Sequence, residues 1–128
     1  KKYNVIDIET DGDRYVECEV NLENTDGQIL LYPKYLNATN YIAARVDGNG
    51  LHLLYKLDGK NYVVKADSSL PGSSFKLGVE CTGNVFSVYT NGTKVLEGEI
   101  NQHMEARKVG FSVNNESNSV DNFKARKL

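Results

Sequence analysis

Hydrophobic and polar residues alternate along almost the whole chain, in short runs broken by turn dipeptides. The clearest stretch is Phe75–Leu96. Phe75, Leu77, Val79 and Cys81 alternate with their neighbours up to Thr82-Gly83-Asn84, and Val85, Phe86, Val88 and Tyr89 follow as far as Asn91-Gly92. A period of two sends successive side chains to opposite faces of a strand. Asn-Gly tolerates the positive φ angles of a type I′ turn, so this segment predicts paired strands. Asp11-Gly12, Asp26-Gly27, Asp47-Gly48, Asn49-Gly50 and Asp58-Gly59 punctuate the rest. The runs between them predict strands near 3–9, 14–23, 27–33, 40–47, 51–58, 61–66, 75–82, 85–90, 93–98, 108–113 and 119–127. Residues 101–107 (NQHMEAR) alone have a helix-compatible composition, too short for more than one or two turns. The expectation is an all-β, two-sheet antiparallel sandwich with at most one short helical turn, a single domain over residues 1–128.

Parity assigns faces to the central runs. Ile42, Ala44 and Val46 share one side of their strand, with Tyr41, Ala43 and Arg45 on the other. Leu51, Leu53, Tyr55 and Leu57 line one side of the next strand, leaving His52, Leu54 and Lys56 opposite. The tight Asp47-Gly48-Asn49-Gly50 connection pairs these runs as a hairpin. One face then carries Tyr41, Arg45, His52 and Lys56. Cys18 and Cys81 fall on apolar faces of their strands, which suits either buried thiols or a disulfide between neighbouring strands. Neither has a second Cys or His at metal-ligand spacing.

Charge narrows the partners. The net charge of −2 leaves no basic excess to displace counterions from phosphates, which argues against nucleic acid. No apolar stretch reaches the roughly 18–20 residues that cross a bilayer as a helix. The chain begins at Lys1 with no signal-like segment, and is expected to be a mature product or a piece excised from a longer chain.

The motifs Gly27-Gln28-Ile29-Leu30-Leu31-Tyr32, Asn40–Asp47, Leu53-Leu54-Tyr55-Lys56, Phe75–Glu80, Phe86–Gly92, Val109-Gly110-Phe111 and Val120-Asp121-Asn122-Phe123 together resemble the concanavalin A-like lectin/glucanase superfamily. Within it they are most similar to laminin-G-like domains and to small bacterial sandwich modules associated with glycoside-active enzymes. The resemblance runs from about residue 14 to the end. It implies a jelly-roll sandwich whose concave sheet holds a ligand, commonly carbohydrate, in an extracellular or cell-surface protein. Such families typically carry a Trp where this chain has Phe75, and the chain has no Trp.

Sugar recognition needs an aromatic plate against the pyranose C–H face, flanked by groups that hydrogen-bond hydroxyls. Tyr41, Arg45, His52 and Lys56, with Tyr32, Tyr35 and Asn37 from the neighbouring strand and loop, are the residues expected to supply it. The same tyrosines equally suit an ordinary half-exposed strand. The resemblance also raises a structural Ca²⁺ between first and last strands, with Asp121 as its candidate ligand. No other cofactor is expected.

Catalysis has weaker support. A retaining glycosidase needs two carboxylates about 5–5.5 Å apart. Asp7 with Glu9 and Glu17 with Glu19 share strand faces, but the superfamily's Glu-x-Asp-x-Glu pattern is incomplete, with Val5 at its first position. His52 and His103 lie in no nucleophile context, and His103 is expected in an exposed short helix. Sequons at Asn37, Asn91 and Asn115 all fall in predicted turns. The reading is therefore a non-catalytic, lectin-like module. Its rivals are a structural or protein-interaction domain of the same fold, and a glycoside-hydrolase-type enzyme.

Overall fold

The computed structural model describes residues 2–128. It is all-β, with strands β1 (Lys2–Asp7), β2 (Arg14–Asn21), β3 (Ile29–Asn37), β4 (Asn40–Asp47), β5 (Gly50–Leu57), β6 (Lys60–Asp67), β7 (Ser74–Thr82), β8 (Val85–Thr90), β9 (Thr93–Glu99), β10 (Lys108–Val113) and β11 (Ser119–Lys127). These form a six-stranded sheet of order β1-β10-β3-β4-β5-β6 and a five-stranded sheet of order β11-β2-β7-β8-β9. All described pairings are antiparallel.

The turn dipeptides account for the hairpins. Asp58 and Gly59 take φ of 49° and 86°, and Asn91 and Gly92 take 49° and 83°. Both pairs have the two positive φ values of a type I′ turn, whose twist matches the flanking strands. Asn91 Oδ1 also accepts the Lys76 amide at 3.0 Å, fastening that turn to the start of β7.

Alternation builds the core. Val16, Cys18 and Val20 of β2 and Phe75, Leu77, Val79 and Cys81 of β7 face Ile29 and Leu31 of β3, Ile42, Ala44 and Val46 of β4, and Leu51 and Leu53 of β5. All are 6% exposed or less. Burying each large aliphatic or aromatic side chain is worth about 1.5–3 kcal/mol.

Two details depart from the sequence pattern, and a third decides an alternative it left open in favour of buried thiols. Residues 101–107 form turns and bends rather than helix, and His103 takes φ of 57°, left-handed backbone that a helix forbids. β3 extends to Asn37, past residue 33, with register irregularities between Leu31 and Lys34 and again between Tyr35 and Asn37. Cys18 and Cys81 are free although β2 and β7 are neighbours. Cys18 faces Leu77 while Cys81 faces Arg14, which puts the thiols four residues apart, about 13 Å along the strands and beyond disulfide reach.

Candidate functional site

The outer face of the six-stranded sheet is ordered by its register. One row crosses Tyr3, Ser112, Leu30, Arg45, His52 and Ala66. Beside it run Val5, Gly110 and Tyr32, then Ala43, Leu54 and Val63 beyond the β3–β4 irregularity, and a third row holds Lys108, Tyr35, Tyr41, Lys56 and Asn61. Six of the seven expected site residues thus share this face.

They are not equally accessible. Tyr32, Tyr35 and Tyr41 are 2%, 4% and 6% exposed and form, with Leu30, Ala43 and Leu54, a second apolar cluster outside the main core. Their rings pack together, Tyr32 at 4.9 Å from Tyr35 and 4.8 Å from Tyr41, with Tyr35 and Tyr41 parallel within 2° at 6.0 Å. A plate that stacks on a sugar needs an open face, so these tyrosines serve as a bed beneath the polar groups. Burial pushes the Tyr32 phenol up to about 12, and its hydroxyl shares a 2.8 Å hydrogen bond with Ser112 Oγ. The exposed aromatic of the face is Tyr3, 57% exposed, whose hydroxyl lies 3.1 Å from that of Tyr35. Nothing local in the sequence signals this, because β1 reaches the face only by pairing with β10, over a hundred residues later.

The polar groups concentrate at the β4–β5 end. Arg45 and His52 are register partners, and Asp47 stands beside both. Arg45 Nε lies 3.2 Å from Asp47 Oδ2 and His52 Nδ1 lies 3.9 Å from Asp47 Oδ1. The first is an ion pair rather than an aligned hydrogen bond, and among the described residues neither nitrogen has a hydrogen-bond partner. At the other end Lys56 Nζ sits 5.5 Å above the Tyr41 ring, a cation–π contact. The main surface depressions among the described residues, of about 230–400 Å³, are lined by residues other than Tyr41, Arg45, His52 and Lys56.

The remaining candidates lie elsewhere. Asn37 turns away from the face and organises the β3–β4 turn, its Oδ1 accepting the Thr39 amide at 3.0 Å and the Asn40 side-chain amide at 3.1 Å. His103 is buried rather than exposed, its Nε2 sharing a 2.7 Å hydrogen bond with the Lys56 carbonyl. Asp7 is ion-paired with Arg107 at 2.7 Å, and that hydrogen bond holds its carboxyl below the usual range. A glycosidase's general acid needs the opposite shift. Glu17 and Glu19 lie on the outer face of the five-stranded sheet, Glu17 3.8 Å from Lys76 and Glu19 hydrogen-bonded to Asn122. Asp121 is exposed there, opposite Glu19. Among the described residues, no three His, Cys, Asp or Glu gather as a metal site.

With this geometry in hand, comparison with known proteins bears on the fold. No protein-family profile matches the chain, and no curated protein does. Solved structures do. A carbohydrate-binding module, CBM66 from Bacillus subtilis, superposes with a TM-score of 0.73 at 14% identity, covering 98% of this chain and 82% of that one. Sheep galectin-11, in complex with glycerol, gives 0.69 at 10% identity over 98% and 96%. A tetrameric galectin from the ball sponge Cinachyrella gives 0.66 at 14% identity over 97% and 99%. The fold is the jelly-roll sandwich of these lectins. At such identities the likeness extends to architecture and to no residue's role.

Proposed function

We propose that this chain is a non-catalytic, lectin-like carbohydrate-binding module of a larger extracytoplasmic protein, within the concanavalin A-like superfamily, and that it seats glycan on the outer face of its six-stranded sheet. The observation that carries this reading is the Arg45–His52 pair. Arg45 is ion-paired with Asp47 and His52 stands against the same carboxylate, so a guanidinium, an imidazole and a carboxylate lie together over an apolar tyrosine bed. Vicinal sugar hydroxyls take hydrogen bonds of that kind, while apolar C–H faces settle on the exposed Val63 and the exposed ring of Tyr3. The sandwiches of similar fold include a carbohydrate-binding module and galectins, which favours the same reading.

The test is a glycan array followed by titration calorimetry on the wild type, Arg45→Ala and His52→Ala, with circular dichroism to verify folding. Each variant should bind the selected glycan roughly tenfold more weakly, the equivalent of about 1.4 kcal/mol. Uniformly negative arrays for the wild type would end the reading. The rival, a protein-interaction domain, draws on the exposed Ile6 of β1 and the exposed Tyr62 and Val63 of β6, both edge strands open to pairing. It requires a protein ligand that competes with no sugar.

A further inference from the structure

The row of outer-face residues does not stop at Arg45 and His52. One step further along the strands, Asp47 and Gln28 stand side by side, since Val46 and Ile29 are register partners. Gln28 in turn pairs with Asn114, its amide donating to Asn114 Oδ1 at 2.6 Å while the Asn114 amide donates to the Gln28 carbonyl at 3.0 Å. Here the sheet opens into a depression of about 400 Å³, lined by Thr25, Asp26, Gln28, Asp47, Asn49 and Asn114, with Gly27 and Gly48 in its wall. Asp47 belongs to both places. One of its oxygens faces Arg45 and the other accepts the Asn49 amide at 2.9 Å.

The depression is built rather than incidental. Asn118, 7% exposed, accepts the Asn24 amide at 2.8 Å and donates to the carbonyls of Asn24 and Asn114 at 3.0 and 3.2 Å, locking the β2–β3 loop to the end of β10. A Cβ at Gly27 would meet Asn118 and Asn114, and one at Gly48 would meet the Thr25 carbonyl at 2.8 Å, so both walls are packed to their limit. Among the described residues, the side chains of Asp26, Gln28 and Asn49 nevertheless make no hydrogen bond within the chain. A rigid frame thus presents free carboxylate and amide groups to solvent.

The chemistry of the lining selects a ligand class. It holds amides, a hydroxyl and two carboxylates and no Lys or Arg, and the bordering Arg45 is already ion-paired with Asp47, so a phosphate, sulfate or uronate finds no free counter-charge in the lining. Two carboxylates fall short of a metal cage, in keeping with the absence of any three-residue acidic or His cluster among the described residues. Amides and carboxylates at fixed spacing suit neighbouring hydroxyl groups of a neutral polyol.

We infer that this depression is a second sugar subsite, continuous with the Arg45–His52 face through Asp47, and that the preferred ligand is a neutral oligosaccharide whose adjoining unit lies over Asp26, Gln28 and Asn49. This rests on the glycan reading of the face. The ligand runs along the strands toward the β4–β5 turn, and a monosaccharide fills only the first position.

The experiment uses neutral galactan, glucan and fructan oligosaccharides of one to four units, with the matching galacturonan series as the anionic comparison. Titration calorimetry on the wild type should show a gain of roughly five- to tenfold from one unit to two, the worth of one or two net hydrogen bonds. Gln28→Ala and Asn49→Ala should erase that gain while leaving monosaccharide affinity unchanged, and the galacturonan series should show no gain. Arg45→Ala should weaken every length alike. Retention of the length gain in both Gln28→Ala and Asn49→Ala overturns the subsite while the face stands. Absence of binding by any series overturns both.

Discussion

Titratable side chains with unequal burial give the protein a defined alkaline limit. Burial pushes the Tyr15 and Tyr32 phenols up to about 12 and raises Tyr35 and Tyr41 as well. It also pushes the Cys18 thiol up to about 12 and raises that of Cys81. In the unfolded chain these groups ionise at their ordinary values of 9.0 for Cys and 10.0 for Tyr. The unfolded state therefore releases protons first, and the stability these groups contribute is whole below about pH 9 and lost as pH rises toward 12. Lys34, lowered by burial and then by the Arg14 charge, acts in the opposite sense, but as one amine against six acids. Urea midpoints followed from pH 8 to 11.5 should fall steadily above 9, and phenolate absorbance should show at least four of the eight tyrosines titrating late. All tyrosines ionising together near pH 10 in a folded protein would contradict this. Tyr32→Phe should cost about 1 kcal/mol at neutral pH, because Ser112 Oγ, in a residue only 2% exposed, loses its partner.

At the scale of elements, β1 is the part whose attachment depends most on a single position. Gly110 sits opposite Val5 in β10, and a Cβ there would collide with the Asn4 carbonyl oxygen and the Val5 main chain. Gly110→Ala therefore forces β1 away from β10, at a cost of about 1–3 kcal/mol for overpacking against backbone. Hydrogen exchange should show the β1 amides losing protection while those of β2, β7 and β8 keep it. Equal loss across both sheets would mean that β1 is not an independently released edge. The strands themselves were legible from alternation and turn dipeptides, because each needs only local information: period two, then a residue that accepts positive φ. Sheet partnership was not. Nothing near Tyr3 announces that it will lie on the same face as Arg45, or that Gln28 will join the row containing Asp47. The irregularity between Leu31 and Lys34 was equally hidden, and it lets Tyr32 and Tyr35 share the outer face while Lys34 is buried. Parity found the Tyr41, Arg45, His52 and Lys56 face correctly, yet it counts sides and not neighbours, so it missed that three tyrosines would cover one another.

Across the whole molecule, one end of the sandwich is closed by two buried cations that have no carboxylate partner among the described residues. Arg14 opens β2 in one sheet and Lys34 lies in β3 of the other, 0% and 1% exposed. Arg14 donates to the carbonyls of Gly12 at 2.9 Å, Arg107 at 3.4 Å and Thr10, and Lys34 donates to those of Asp11 at 2.6 Å and Met104 at 2.7 Å. The acceptors belong to two of the segments that cross between the sheets, β1 to β2 and β9 to β10. Main-chain dipoles thus do the solvating that water or a carboxylate would otherwise do, and each cation ties both crossings to the core. Replacing either with Met keeps the apolar stem and removes the charge, leaving carbonyls to find new donors, at about 1–3 kcal/mol each. The two losses should not add. Once one cation is gone the crossings loosen, and water reaches the carbonyls that the other would have left unpaired. Removing one also relieves the repulsion between like charges. In a double-mutant cycle of Arg14→Met and Lys34→Met, read by urea denaturation, the double variant should be more stable than the sum of the singles implies by at least about 0.5 kcal/mol. Additivity within about 0.3 kcal/mol would show that the two cations hold separate structures, and that the crossings are fastened independently rather than as one closed end.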